Sequence, residues 1–500
     1  MLVQHKSYKP GDLIWSEEAL VCALHVDSSP QYCAYCLLSV SQQPLLRCSR
    51  CKHVFYCSRI CQKSHWSSHK QECACIVSSG AFPGATIRLL FNIIVSKVYE
   101  NYPFFELLVS HVEELNANDK TRLMMEQAYA MLMVFSNQNI GVSKSCFFRL
   151  FGRVKINAFH LTSECGDEIG VALFERSSKL DHSCLPNADF AFVGKRIKVI
   201  ATDEILDASQ IRISYVDLLM SMKRRQEELF NGYLFHCNCP RCSDLEQDFD
   251  TRIPPCCGRR MRVLKADALE DQEPVSWPSE ANAFLPNLTK YSTVAPEEVY
   301  VCGKCHRCYS AAVFDALECR CYEINTLKDA VGLYRACAAA ANTGNNEYLH
   351  LVYNHQGSLP LLRLCRTIVM TYRVDEDNLN GEELDLMLEA GLRLARCFDS
   401  VAAKYHSFRG HLFVCSLVCA LLGLFGSVVS AMEVHLSLSG GGGDDISGVT
   451  LERLEHFSEA FVRTAVAFAP CIKRFAPHLP GVSEQLQRLR CFANNLNVQI

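Results

Sequence analysis

Eight side chains between residues 33 and 73 have the chemistry and spacing of metal ligands: Cys33-x2-Cys36, Cys48-x2-Cys51, Cys57-x3-Cys61 and His69-x3-Cys73. Thiolates and imidazole are donors that zinc prefers, and two of them a few residues apart can bend onto one ion. Two tetrahedral ions need that number of ligands, and such ions contribute folding energy rather than chemistry because no coordination position stays open. Spacing alone leaves open which pairs share a metal. A second cluster, Cys237-x-Cys239-x2-Cys242, offers three ligands and needs a fourth from elsewhere. The best place to look is Asp181-His182-Ser183-Cys184-Leu185-Pro186-Asn187, which supplies Cys184. A further set (Cys256, Cys257, Cys302, Cys305, Cys308, Cys319, Cys321) invites a fourth ion with Cys302-x2-Cys305 at its core, but nothing completes that pattern uniquely.

The chain has 29 cysteines in 500 residues, an odd number, and its opening MLVQHKSYKP has no apolar stretch of the kind a secretory signal needs. The expectation is a reducing compartment, where dense cysteines mean metal more often than disulfides. With 49% apolar and 21% charged residues the chain can bury a core, so wholesale disorder is excluded. Its length predicts several domains, and a net charge of −4 argues against coating nucleic acid through charge alone.

The elements that would position these residues change period along the chain. Ile87, Leu90, Phe91, Ile94, Val95 and Val98 keep helical spacing, as do Met124, Ala128, Met131, Leu132 and Phe135, and then Phe147, Leu150, Phe151 and Val154. The period drops to two in ADFAFV (188–193), KRIKVIA (195–201) and IRISY (211–215), which read as half-buried strands. From about residue 327 the pattern is helical again. The charge-free run 412–432 is long enough to span a bilayer, but its serine, glycine and cysteine content and amphipathic neighbours read as a buried helix or helix pair. SGGGGDDISG (439–448) reads as a flexible linker. Lys223-Arg224-Arg225 reads as a solvated basic face, with nuclear import as the alternative.

The 33–73 array, with its Tyr56-Cys57 step and its closing His69-Lys70-Gln71-Glu72-Cys73, resembles the MYND zinc finger. The string from Asp181 to Asn187 is similar to the NHSCxPN motif of SET-domain lysine methyltransferases of the SET and MYND family. Ile213-Ser214-Tyr215, a short helix, Tyr233-Leu234-Phe235 and the three cysteines then follow in the family's order. The resemblance implies an α+β chain. Residues 1–32 would begin a split SET β-fold, 33–73 form the inserted MYND finger and 74–152 a helical insert. Residues 153–235 would be the core SET region, 236–250 a cysteine-rich post-SET zinc segment, 251–325 a cysteine-containing insert and 326–500 an all-α tetratricopeptide-like domain.

It also implies S-adenosylmethionine-dependent methylation of lysine in a histone tail or another protein, in line through an aromatic channel. Tyr215 and Tyr233 would be catalytic, with Tyr233 and Phe235 lining the lysine channel and cofactor pocket. His111, Asn157, Asp181, His182, Tyr215 and Phe235 would contact the cofactor. Cys33, Cys36, Cys57 and Cys61 would hold one zinc, Cys48, Cys51, His69 and Cys73 a second, and Cys184, Cys237, Cys239 and Cys242 a third. The finger would bind proline-containing peptides, an extended ligand on a small preformed groove. Its six basic residues (Arg47, Arg50, Lys52, Arg59, Lys63, Lys70) read as a solvated face, with DNA contact the weaker alternative. The expected chain is a monomer of nucleus and cytoplasm without a membrane partner. The alternative function is a catalytically impaired scaffold that keeps the zinc fold and the peptide groove.

The sequence departs from the family at three places. Asp181 stands where the family has asparagine, losing a donor and adding a charge. Ala208-Ser209-Gln210 replaces a GEE turn. Lys9-Pro10-Gly11-Asp12 matches the family's PGE-type turn, so the sequence opens at the strand after the family's glycine-rich turn.

Overall fold

Strands before the finger pair with strands far downstream. β1 (Leu13–Glu18) and β2 (Val21–Leu24) precede the finger hairpin β3 (Leu46–Arg47) and β4 (Phe55–Tyr56). After the helices come β5 (Phe159–Thr162), β6 (Glu168–Leu173), β7 (Asp181–His182), β8 (Ala188–Val193), β9 (Arg196–Ala201) and β10 (Arg212–Ile213). One antiparallel sheet has the order β1-β9-β8 and another β2-β6-β5, while β7 and β10 form a short parallel pair. These coordinates are a computed structural model that describes residues 7–39, 44–163, 168–218, 220–243, 261–265, 298–302, 304–324, 326–343 and 359–371, with isolated positions beyond. They divide into two units, Met1–Val216 with Gln226–Cys237, and Asp217–Arg225 with Asn238–Ile500.

Apolar alternation sets the pairing in the first unit. Ile197 and Val199 of β9 are buried together with Ile14 of β1, Ala188 and Phe192 of β8 and Leu161 and Phe174, giving a core on which both sheets draw. β8 and β9 are joined by a tight turn in which Gly194 has φ +56°, and a Cβ there would lie 2.3 Å from the carbonyl oxygen of Cys36. Only glycine allows both that conformation and that approach. The hairpin tip therefore rests on a finger ligand, and Lys195 N donates to the same oxygen at 3.1 Å.

The helices follow the expected periodicity with two corrections. The run from Ile87 to Val98 is not one helix: Ala85–Val95 ends, Lys97 takes φ 54°, and Val98–Asn101 forms a separate turn. In Asp119–Phe135 the buried face is Met125, Ala128, Leu132 and Phe135, whereas Met124 and Met131 are exposed. Lys144–Asn157 buries Phe147, Leu150, Phe151 and Val154 as their spacing predicts. Asn118 and Ser143 start these last two helices by accepting from first-turn amides, the role short polar side chains play at N-caps. Of the 211–215 strand, only Arg212 and Ile213 pair.

In the second unit β11 (Met261–Lys265), β12 (Glu298–Cys302) and β13 (Cys308–Ser310) form an antiparallel sheet, followed by helices Ala311–Glu323, Leu327–Thr343 and Leu359–Thr371. Here 223–225 is not a solvated face. Arg225 is fully buried and donates to the Met220 carbonyl at 2.7 Å, Lys223 pairs with Asp315 at 3.3 Å, and Arg224 Nη1 meets Cys319 Sγ at 3.6 Å. The triplet is an internal tie because buried acceptors and an acid meet it. The run 412–432, the linker 439–448 and Cys256 and Cys257 lie outside the described residues. Among the described residues no helix is long and apolar enough to cross a membrane.

Candidate functional site

The finger brings its eight ligands together as two sets of four. Cys33, Cys36, Cys57 and Cys61 form one and Cys48, Cys51, His69 and Cys73 the other, with all donor atoms of a set within 4.8 Å of one another. Sulfur separations of 3.7 Å (Cys36–Cys57), 3.4 Å (Cys57–Cys61) and 3.9 Å (Cys48–Cys73) lie near the edge of about 3.8 Å of a tetrahedron with ~2.3 Å bonds. The donor types and their closure therefore fit zinc. The pairs interleave because the β3–β4 hairpin folds back and helix Arg59–Ser79 carries Cys61, His69 and Cys73 across it. All six basic residues of the finger are exposed.

Behind the second set stands a relay that pair spacing did not reveal. Glu72 accepts from His69 Nδ1 at 2.8 Å and from Arg88 Nε at 2.8 Å, and both Glu72 and Arg88 are almost wholly buried. A carboxylate on one ring nitrogen turns the other toward the metal, and His69 Nε2 lies 3.5 Å from Cys51 Sγ. Arg88 also donates to the Leu24 carbonyl at 3.0 Å, which ties the finger to β2. Glu72 was legible within the finger's closing string. Arg88 carried no signal, since it lies in a helix of apolar periodicity.

The second constellation forms where β7 and β10 end. Tyr215 follows β10, and its amide donates to His182 Nδ1 at 3.0 Å. Its hydroxyl donates to the Leu180 carbonyl. The ring lies 4.7 Å from that of Tyr233, 5.2 Å from His182 and 6.4 Å from Phe235, the last at 90°. Burial, reinforced by the Asp181 carboxylate, pushes the Tyr215 hydroxyl well above its ordinary pKa, and burial also raises that of Tyr233. Both phenols are therefore neutral near pH 7.

A cavity of about 500 Å3 opens beside these rings, within the range of small-ligand sites of about 300–1,000 Å3. His111, Asn157, Asp181, His182, Tyr215, Tyr233 and Phe235 all line it, although they come from positions more than a hundred residues apart. Asn157 is held by bonds of its Nδ2 to the carbonyls of Val109 and Arg153, both at 2.8 Å. His111 occupies a left-handed position ahead of helix Val112–Ala117, with Glu114 3.3 Å away. Asp181 is 74% exposed and sits 3.7 Å from Arg212.

A smaller cavity of about 150 Å3 shares Asn157, Ser178, Leu180, Tyr215 and Tyr233 with the larger one and adds Phe159, His160, Ser177 and Phe190. Ser177, Ser178, Lys179 and Leu180 were missed in the sequence, although they run directly into the DHSCLPN string. The turn they form is pinned by β1. Glu17 accepts from the amides of Arg176 at 3.1 Å and Ser177 at 2.6 Å, Trp15 Nε1 donates to Ser177 Oγ at 3.0 Å, and Arg176 stacks on the Trp15 ring.

Cys184 and Cys237 bring their sulfurs to 3.9 Å, and His182 Nε2 lies 3.2 Å from Cys184 Sγ. Cys237 is anchored through its backbone by Gln226, which accepts from its amide at 2.8 Å and donates to its carbonyl at 2.6 Å. Cys239 and Cys242 follow in the second unit, where Arg225 Nη2 donates to Cys242 Sγ at 3.8 Å. Cys302 and Cys308 are buried and Cys305 exposed at the β12–β13 sheet, while Cys319 and Cys321 are buried on the following helix. Among the described residues these five join no group of three or more donors close enough to share an ion.

Comparison with known proteins gives a MYND finger over residues 33–73, so the chain carries that finger. It is 31% identical over 253 residues to histone-lysine N-methyltransferase SMYD3 of Mus musculus, covering 48% of this chain and 58% of that protein. The N-lysine methyltransferase SMYD2 of Rattus norvegicus is 31% identical over 252 residues, 49% of this chain and 58% of the relative. Histone-lysine N-methyltransferase ASHR1 of Arabidopsis thaliana is 31% identical over 263 residues, 49% and 53%. The matched part thus spans little more than half the length of these curated relatives. They are the SET and MYND lysine methyltransferases that the motifs resemble.

Proposed function

We propose that this relative of the SET and MYND lysine methyltransferases is itself an S-adenosylmethionine-dependent protein-lysine N-methyltransferase. The observation that carries the reading is the meeting of two cavities, about 500 and 150 Å3, at one pair of half-buried tyrosines, Tyr215 and Tyr233. The larger suits a nucleoside-sized ligand, with Phe235 and His182 as ring contacts and Asn157 and Asp181 as polar ones. The smaller suits an extended alkyl amine. S-adenosylmethionine supplies an electrophilic methyl group when bound.

The chain's part is alignment and exclusion of water. The faces of Tyr215 and Tyr233 favour cationic groups, and their apolar surroundings favour the neutral, nucleophilic form of an entering amine. Tyr215 keeps its phenolic proton, and its hydroxyl is aimed by the Leu180 carbonyl along the wall that both cavities share. Cys184 and Cys237 would take part in holding a third zinc beside the aromatic cluster. The finger would recruit proline-containing partners, and the helices after residue 326 would form a tetratricopeptide-like domain.

The test is calorimetric titration of the zinc-loaded 500-residue chain with S-adenosylmethionine, followed by transfer of labelled methyl groups to histones and lysine peptides. Micromolar binding and transfer that Tyr215→Phe lowers at least about a hundredfold, without loss of fold, are expected. Cofactor binding without transfer to any lysine would leave the scaffold reading, and no binding would remove the enzyme.

A further inference from the structure

The wall of the larger cavity contains a charge arrangement that its aromatic part does not use. Lys179 is the only lysine or arginine among the residues lining it, and Asp181 is the only carboxylate. The two flank Leu180, whose carbonyl receives the Tyr215 hydroxyl, so a lysine and an aspartate line one cavity on either side of the tyrosine's anchor. Lys179 ends the short turn Ser177–Lys179 and is exposed. Its ammonium lies 5.8 Å from the centroid of the Phe104 ring and has no carboxylate within 4 Å among the described residues. Asp181, by contrast, already has Arg212 at 3.7 Å.

A lysine on a cavity wall without an acidic partner attracts an anion, and the bond is charge-assisted if the anion is a carboxylate. The ligand assigned to this cavity carries one α-carboxylate and one α-ammonium on its amino-acid end. We propose that Lys179 binds the α-carboxylate of that amino-acid end, with Asp181 facing the α-ammonium, an assignment that rests on the methyltransferase reading. The turn that presents Lys179 is held by Glu17 and Trp15 from β1, so the cation has a fixed base and a mobile four-carbon reach.

The experiment uses the zinc-loaded full chain and calorimetric titration with three ligands: S-adenosylmethionine, its decarboxylated analogue and 5′-methylthioadenosine. Lys179→Met should weaken S-adenosylmethionine about ten- to a hundredfold while leaving the two ligands without a carboxylate within about threefold. Lys179→Arg, which keeps the charge, should restore most of the loss. An equal loss for all three ligands would show that Lys179 merely shapes the cavity, and no loss for any would place the carboxylate elsewhere. Either result overturns the assignment while the enzyme reading stands. Failure of the unmodified chain to bind any of the three would instead remove the cofactor cavity, and the assignment with it.

Discussion

Tyr215 and His182 hold one another at two points: the Tyr215 amide donates to His182 Nδ1 at 3.0 Å, and the rings lie 5.2 Å apart. An accepting Nδ1 leaves the proton on Nε2, and that atom lies 3.2 Å from Cys184 Sγ. One imidazole thus joins a candidate zinc thiolate to the backbone of the tyrosine between the cavities.

His182→Ala should therefore do more than remove a ring. It leaves the Tyr215 amide without its acceptor in a part-buried position, at a cost of about 1–3 kcal/mol. The measurement is the denaturation midpoint of the zinc-loaded chain beside intrinsic tyrosine fluorescence. An unchanged midpoint and spectrum would show that the bond does not hold Tyr215.

Glu17 is expected to act at a distance from the cavities. Its carboxylate receives two amides at the start of the turn that continues into Ser178 and Leu180, and Ser177 is buried. Glu17→Ala should cost about 1–3 kcal/mol and weaken cofactor binding, whereas Glu17→Gln, which keeps one acceptor, should cost less. Denaturant melts of both variants, with calorimetric cofactor titrations, decide it. Equal behaviour of Ala and Gln would argue against the bond and for simple packing.

Arg88→Met removes the cation from a buried carboxylate. Glu72 would retain only His69, and an uncompensated buried charge costs about 3–5 kcal/mol. The same change frees the orientation of His69, so zinc should pass faster to a chromogenic chelator than from the unmodified chain. Unchanged melting and release would show that the relay is dispensable.

Glu168 accepts from His160 at 2.7 Å and from His25 at 2.8 Å across the β2-β6-β5 sheet. The His160 bond is the main reason that its carboxyl falls to about 2, and the same bond raises His160 above 6.5. A lowered carboxyl contributes stability that is complete above its ordinary value of 4.5 and lost as pH falls through about 2. A raised histidine contributes stability that is complete below 6.5 and lost as pH rises through its folded value. The pair therefore contributes most between about 4.5 and 6.5, and only modestly because both groups are substantially exposed. In an NMR titration Glu168→Gln should move the His160 midpoint down toward 6.5, and an unmoved midpoint would disprove the coupling.

The metal ligands were legible because coordination is local: two donors must reach one ion from neighbouring residues, so spacing records the pair. Spacing could not record that Cys57 and Cys61 join Cys33 and Cys36 while His69 and Cys73 join Cys48 and Cys51. That pairing was available only from the family's pattern until the β3–β4 hairpin and its helix folded across one another. Strands 188–193 and 195–201 were equally plain from their alternation, although β9 ends buried on both faces, with Val199, Ile200 and Ala201 all inside. In helix Asp119–Phe135 the expected face held at Ala128, Leu132 and Phe135 but not at Met124 and Met131, each an exposed methionine directly before a buried apolar residue that satisfies the same spacing.

What the sequence determined by itself is the set of chemical groups: soft ligands in pairs, two tyrosines and a phenylalanine after a short strand, and an acid beside a histidine. Tertiary structure decided which of them share a space. His111, Asn157, Asp181 and Tyr215 line one cavity because β7 pairs with β10 and Asn157 bonds back to the Val109 carbonyl, contacts between residues some thirty to fifty positions apart. The partners of Glu17, Arg88 and Lys179 are likewise distant in sequence. Metal ligation within a pair acts over a few bonds of chain, whereas cavity lining and buried charge act through space, and no local spacing encodes them.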